Sequence, residues 1–144
     1  MRSFPVLSHA IAAFAFLVSS ALAEDTDIGK ALSIELNAVE TRDDSCLLSF
    51  MVINGHDAPI ERAVYETVLF DASGQVAQLT LFDFGRLPPA RPRIRQFMVA
   101  GLTCDRIGSA LINGVSTCAA PDLDATACEA DLTLSSRTDI EVLG

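Results

Sequence analysis

The clearest alternation of apolar and polar positions lies in Ile60–Phe84 and predicts a β-hairpin. In the first arm, apolar, aromatic or β-branched side chains occupy both faces of an extended chain, as in a central strand covered on two sides. The second arm, from Val76, repeats this composition. Between the arms, Asp71 can cap a turn and Gly74 can adopt the positive φ that such turns require. A helix is the alternative for the first arm, but two such runs around a turn favour strands.

The same criterion predicts further strands on both sides of the hairpin. Ala31–Glu40 alternates like a half-buried strand, and Cys46–Ile53 is almost wholly apolar. Gly85–Pro92 contains three prolines and is expected to be a connection that cannot pair along its length. Arg93–Val99 then resumes the alternation.

The last third of the chain leaves two alternatives open. Ile107–Cys118 is either one bent strand, which we favour, or a tight hairpin about Asn113 and Gly114. Leu132–Leu143 supplies one strand or two. About seven short strands separated by turns predict an all-β domain, an antiparallel sandwich or a barrel. The sandwich is favoured because strands apolar on both faces alternate with half-polar strands.

Residues 1–23 have the pattern of a cleaved signal peptide. Arg2 is their only charge, an apolar run follows over Ala10–Val18, and small residues stand at Ala21 and Ala23. A transmembrane anchor is the alternative, but the apolar run is too short to cross a bilayer. We therefore expect one domain of residues 24–144, in the periplasm or secreted, without membrane insertion after cleavage.

The charge balance narrows the classes of partner. The full chain has a formal net charge of −9, and loss of Arg2 with the signal peptide makes this −10. Nucleic acids and anionic membranes bind mainly basic surfaces, so neither is an expected partner.

The four cysteines predict disulfides, because an even number in an exported chain indicates a covalent framework. They are Cys46, Cys104, Cys118 and Cys128. A metal site is the alternative, but no CxxC pair is present and His56 is the only histidine after residue 23. Of the three possible pairings, Cys46–Cys104 with Cys118–Cys128 is favoured, since the second bridge would close an irregular loop. We expect no metal and no cofactor.

Two stretches resemble known exported proteins. Ser49–Asn54 and Val68–Val76 resemble bacterial envelope domains of FxLYD type, in which a strand ending in "v-x-N" precedes one closing on "D-x-x-G-x-V". The runs LPPARPRIRQF and LSSRT are similar to those of small exported proteins of alphaproteobacteria. The resemblance covers about residues 47–97 and implies an immunoglobulin-like sandwich with no catalytic residue.

Three groups of residues are candidates for function. Arg91, Arg93 and Arg95 alternate, so in an extended chain they share one side. Together with Arg86 they are here called the arginine ridge, a candidate surface for a carboxylate, a phosphate or an acidic partner. His56 beside Asp57 is a candidate base with its orienting acid, although no nucleophile motif accompanies it. A set of acidic residues is a weaker calcium candidate that lacks the spacing of a dedicated loop: Asp122, Asp124, Glu129 and Asp131.

These patterns favour binding over catalysis. We expect a non-catalytic module of the periplasm or the secreted fraction whose partner is another envelope protein, engaged through the arginine ridge or through an exposed sheet edge. The alternative is a small secreted hydrolase that uses His56 and Asp57.

Overall fold

Two four-stranded sheets pack face to face in the computed structural model, which describes residues 28–144. The strands in chain order are β1 (Leu32–Arg42), β2 (Ser45–Asn54), β3 (Ile60–Asp71), β4 (Val76–Leu87), β5 (Arg93–Val99), β6 (Ile107–Ala119), β7 (Thr133–Ser136) and β8 (Glu141–Leu143). Sheet A has the order β5-β2-β1-β7, and sheet B has the order β4-β3-β6-β8. This confirms the predicted all-β sandwich. The predicted signal peptide, residues 1–23, lies outside the described residues.

Antiparallel pairs form the body of both sheets, and parallel pairs close one side. β1 with β2, β2 with β5, β3 with β4 and β3 with β6 are antiparallel. β7 runs parallel to β1 in sheet A, and β8 runs parallel to β6 in sheet B. Leu132–Leu143, predicted as one strand or two, therefore supplies one short strand to each sheet.

Two predicted boundaries are settled by the register. Ile107–Ala119 is one strand, β6, with register shifts opposite Tyr65 and Thr67, which confirms the bent strand over the hairpin. The prediction that Gly85–Pro92 is a connection that cannot pair along its length is wrong for its first three residues, because Gly85 pairs with Ala63 and Leu87 pairs with Ile60. The prolines begin only after Leu87, and Gly85 takes a positive φ of 64° beside a register shift, so the strand continues.

The turn between β3 and β4 has the predicted chemistry. The Asp71 carboxylate accepts hydrogen bonds from the Ser73 N–H (2.9 Å), the Ser73 hydroxyl (2.6 Å) and the Gln75 N–H (3.0 Å). These bonds, the Ser73 hydroxyl first, hold the pKa of the Asp71 carboxyl below its ordinary value. Gly74 has a φ of 84°. Both roles assigned from the sequence are confirmed.

An aromatic cluster joins the two sheets in the core. Phe50 and Phe97 of sheet A contact Phe82 and Phe84 of sheet B, with ring centroids 4.2–5.8 Å apart. Phe82 and Phe97 are stacked, whereas Phe84 and Tyr65 meet edge to face at 5.7 Å. Such pairs contribute about 0.5–1.5 kcal/mol each beyond the area that they bury. The cluster fixes β4 against β5, the two strands that form the edges on one side of the sandwich.

The disulfides have the favoured pairing. Cys46–Cys104 ties β2 to the 3-10 turn before β6, and Cys118–Cys128 ties the end of β6 to the irregular segment 120–132. That segment has two further attachments. The Tyr65 hydroxyl donates to the Cys128 carbonyl at 2.6 Å, and Nε2 of His56 lies 2.8 Å from the Ala127 carbonyl. One covalent bond and two hydrogen bonds thus hold residues 127 and 128 against the sandwich.

Candidate binding surface

Strand β4 presents exposed apolar side chains on an open sheet edge. Phe82 points into the core, whereas Val76, Leu79 and Leu81 are 64%, 61% and 56% exposed. The stretch Val76–Phe82 contains no charged residue, although the chain as a whole is strongly acidic. An uncharged edge with exposed leucines is unusual, because most edge strands carry charges, prolines or bulges that discourage pairing.

The apolar character continues across the outer face of sheet B. Leu79 pairs with Val68, Val68 pairs with Leu111, and Leu111 pairs with Leu143, so one apolar row crosses all four strands. At the other end of β4 the same face is polar. There Arg62 donates to Asp83 at 2.8 Å and holds the pKa of that carboxyl below its ordinary range. Along β4, the apolar part of this face therefore ends at Leu81, and the polar part begins at Asp83.

The free edge of β4 is covered at one end only. β4 pairs with β3 on one side and with no strand of residues 28–144 on the other. Near its end, the Arg95 guanidinium donates from Nε to the Phe84 carbonyl (2.6 Å) and from Nη2 to the Arg86 carbonyl (3.0 Å). Arg95 occupies these acceptors as a neighbouring strand would. No side chain or strand of residues 28–144 covers the backbone from Val76 to Phe82 in this way.

The members of the arginine ridge have different surroundings. Arg95 joins β5 to β4 as just described, and Arg86 pairs with Glu61 at 2.9 Å. Arg93 donates to the Pro92 carbonyl (3.1 Å), and neither Arg93 nor Arg91 has a carboxylate partner among residues 28–144. Of the four arginines in the arginine ridge, only Arg91 and Arg93 have neither a carboxylate nor another strand of residues 28–144 as a partner. The sequence spacing placed Arg93 and Arg95 on one face of β5, but the carbonyls that engage Arg95 come from another strand.

His56 and Asp57 point to different partners. The imidazole contacts the Ala127 carbonyl, the His56 N–H donates to the Asn54 side chain at 2.9 Å, and the Asp57 carboxylate forms an ion pair with Lys30. No hydrogen bond joins the imidazole to the Asp57 carboxylate within the described chain. The geometry gives His56 a tethering contact to segment 120–132.

The acidic residues of segment 120–132 do not surround a common point at which a cation could bind. Asp124 accepts hydrogen bonds from the Thr126 N–H (3.0 Å) and hydroxyl (2.8 Å), which lower the pKa of the Asp124 carboxyl. Within residues 28–144 no group of three or more potential ligands is close enough to hold a metal ion. The Asp124 carboxylate thus serves as a turn cap.

The exposed leucines of β4 were missed by the sequence analysis. The alternation in the second arm was interpreted as a strand covered on both faces, and that is wrong for Leu79 and Leu81. Coverage fits β3, which lies inside sheet B with Val64 and Val68 buried on its outer face. The one sequence signal for the surface was the absence of charge from Val76 to Phe82.

Comparisons with known proteins identify a structural similarity but no family. No family model and no curated protein sequence matches the chain. A solved structure described as the structural characterization of IrmA from Escherichia coli aligns with a TM-score of 0.46 and 14% identity, over 74% of this chain and 91% of that chain. No helix among residues 28–144 has the length and apolarity needed to span a bilayer. Similarity to FxLYD-type domains stays a prediction.

Proposed function

We propose that this chain is an exported, non-catalytic module that binds another protein of the bacterial envelope through strand β4. The observation that carries the proposal is the uncharged stretch Val76–Phe82 on an open edge, in which Val76, Leu79 and Leu81 are exposed. Exposed apolar residues are ordinary when they are scattered, but contiguous ones on an unpaired edge are typical of interaction sites.

The energetic consequence of covering this surface is substantial. Leu79 and Leu81 keep more than half of their surface exposed, and complete burial of a leucine stabilises by about 1.5–3 kcal/mol. A partner that covers both side chains would gain roughly 2 kcal/mol from them. Backbone hydrogen bonds along the edge would add to this gain.

Export is supported by the disulfides and by the predicted signal peptide. Two bridges persist in oxidising compartments and are rare in the cytosol, so the periplasm or the secreted fraction suits this chain. The acidic charge favours a protein partner over nucleic acid or an anionic membrane.

The alternative, a small secreted hydrolase, has less support. Catalysis by His56 and Asp57 would require the imidazole to leave the Ala127 carbonyl and the carboxylate to leave Lys30. If a purified preparation shows hydrolase activity, His56→Ala should abolish it under this alternative and leave it unchanged under the proposed function.

A matched pair of variants tests the binding surface. Purified protein is used to capture and cross-link partners from a periplasmic extract of the source bacterium. Leu79→Lys with Leu81→Lys places charge on β4 and is expected to abolish capture of the partner. Ile94→Lys with Met98→Lys is the control, since these residues are 54% and 50% exposed on β5, the edge strand of sheet A.

The capture experiment has one supporting outcome and two refuting outcomes. Loss of capture with the β4 pair and retention with the β5 pair support the proposal. Retention with the β4 pair, or no specific capture by the parent protein, refutes it. Light scattering on the purified chain supplies a further check. A stable dimer that dissociates on the β4 substitutions would identify the partner as a second copy and overturn the proposal of another protein.

A further inference from the structure

We propose that the partner contributes an extended segment that adds to β4 along Val76–Phe82 and carries carboxylates at the end nearest Arg91 and Arg93. This inference rests on the proposed function and specifies the chemistry of the bound segment.

The length of the segment follows from where the edge is open. Arg95 already occupies the Phe84 and Arg86 carbonyls, so an added strand has free backbone partners only from Val76 to Phe82. Seven residues of strand extend over about 23 Å. The guanidinium of Arg95 therefore marks where pairing with β4 stops, and any further residues of the segment continue beyond it.

The side chains of the segment follow from the neighbours that it would meet. Residues directly opposite on adjacent strands lie side by side, and the outer face of β4 presents Leu79 and Leu81. Apolar residues two positions apart on the added segment would cover them. Its backbone would supply the affinity, as in other cases of strand addition.

The charge at the end of the segment follows from the ion pairs already present. Lys30, Arg42, Arg62, Arg86 and Arg137 each pair with a carboxylate. Arg91, Arg93, Arg95 and Arg106 do not, within residues 28–144, although the chain has nearly twice as many acidic as basic residues. Of these four, Arg95 already donates to carbonyls of β4 and Arg106 lies in the 3-10 turn before β6, which leaves Arg91 and Arg93. Arg91 lies in the connection between β4 and β5, and Arg93 is the first residue of β5. A segment that extends past Arg95 would bring its end to these cations.

A second copy of the chain fits this description less well. If two β4 strands paired antiparallel, the Leu87 end of one would meet the Asp71–Gln75 turn of the other. The carboxylate in that turn, Asp71, is already bound to Ser73 and Gln75. A copy therefore offers these cations one carboxylate that already caps its own turn through Oδ1, whereas another protein can offer carboxylates with no such role.

Synthetic peptides test the inference directly. The probes share a seven-residue body of alternating valine and threonine and end in two aspartates, two asparagines or two lysines. One series has the pair at the N terminus and a second series has it at the C terminus, because an added strand can run in either direction. Affinities are measured by titration calorimetry, and hydrogen exchange reports which amides become protected.

In the series whose charged pair reaches Arg91 and Arg93, the aspartate peptide is expected to bind about fivefold more tightly than the asparagine peptide, and the lysine peptide is expected to bind most weakly. This corresponds to two exposed ion pairs of modest strength. Protection is expected at Val76–Phe82. Arg91→Gln with Arg93→Gln should remove the preference for aspartate. Arg106→Gln, a control at an arginine in the 3-10 turn before β6, should preserve it.

Failure of this inference differs from failure of the proposed function. Equal affinity of the three peptides with protection at β4 refutes the carboxylate preference alone. If no peptide binds or protection appears elsewhere, strand addition is refuted, and the function itself stands only if Leu79→Lys with Leu81→Lys still abolishes capture of the natural partner.

Discussion

Tyr65→Phe is expected to cost far more stability than Thr67→Val, although each change removes one hydroxyl from a fully buried side chain on β3. The two residues face the core two positions apart, and each is 0% exposed. They differ in the geometry of their hydrogen bonds. The Tyr65 hydroxyl lies 2.6 Å from the Cys128 carbonyl, whereas the Thr67 hydroxyl lies 3.5 Å from the Tyr65 carbonyl, at the outer limit of such a bond.

The size of the stability loss follows from the carbonyl group that loses its hydrogen-bond donor. Tyr65→Phe leaves the carbonyl of Cys128, a residue that is 1% exposed, without its partner, and an unsatisfied buried acceptor costs about 1–3 kcal/mol. A loss of about 2 kcal/mol is a large share of the ~5–15 kcal/mol that stabilises a small domain. It should lower the melting temperature by roughly 8 °C. Thr67→Val exchanges a weakly bonded hydroxyl for a methyl group and should change the free energy of unfolding by less than about 0.5 kcal/mol.

The assay is urea denaturation followed by far-ultraviolet circular dichroism, with both disulfides intact. Equal slopes in parent and variants would show that only the free energy of unfolding has changed. The reasoning is refuted if Tyr65→Phe costs less than about 0.5 kcal/mol, or if Thr67→Val costs as much as Tyr65→Phe.

Two further predictions concern a close backbone contact and the response to high pH. A Cβ at Gly55 would lie 2.2 Å from the Gly29 carbonyl oxygen, so Gly55→Ala should lower the free energy of unfolding by about 3 kcal/mol. Gly114→Ala is the control, because Gly114 has open space beside it, and this change should be neutral within about 0.5 kcal/mol. Equal free energies of unfolding for the two variants in urea titrations would contradict this prediction. Burial, with a smaller contribution from Glu129, raises the pKa of the Tyr65 phenol, which favours its neutral form in the folded state. That stabilisation is complete below the unfolded tyrosine pKa of about 10 and is lost as the pH rises further, so tyrosinate absorbance should appear together with unfolding. Tyrosinate in a protein that is still folded would contradict the assignment.

Local features of the fold could be predicted from the sequence. The turn at Asp71 and Gly74 depends on contacts within five residues, and the Cys118–Cys128 bridge closes a short loop, so both were predicted correctly. Asn54 ends β2 for a reason that the sequence hides. Its amide donates to the carbonyls of Ala58 and Leu87, which joins β2 to β4 across 33 positions.

The candidate surface could not be predicted in the same way. An apolar face on a strand is covered or exposed according to the strand's place in its sheet, and that place depends on pairing between distant segments. β3 and β4 have similar compositions, yet β3 lies inside sheet B and β4 lies at its edge. The arginine spacing indicated a shared face, but the carbonyls that engage Arg95 belong to β4 and come into reach only when the sheets pack.

The parallel closure of the sandwich sets a requirement for the order of folding. Ser33 pairs with Thr133 and Leu36 pairs with Ser136, so sheet A gains its fourth strand only when segments one hundred positions apart have met. Pairing between such distant segments is slow compared with hairpin formation, because closing a long loop costs more conformational entropy. A chain that folds from its N-terminus would form its hairpins well before β1 acquires its second neighbour. During that interval the backbone of β1 is an unprotected template, and a chaperone that shields it would raise the yield of native protein.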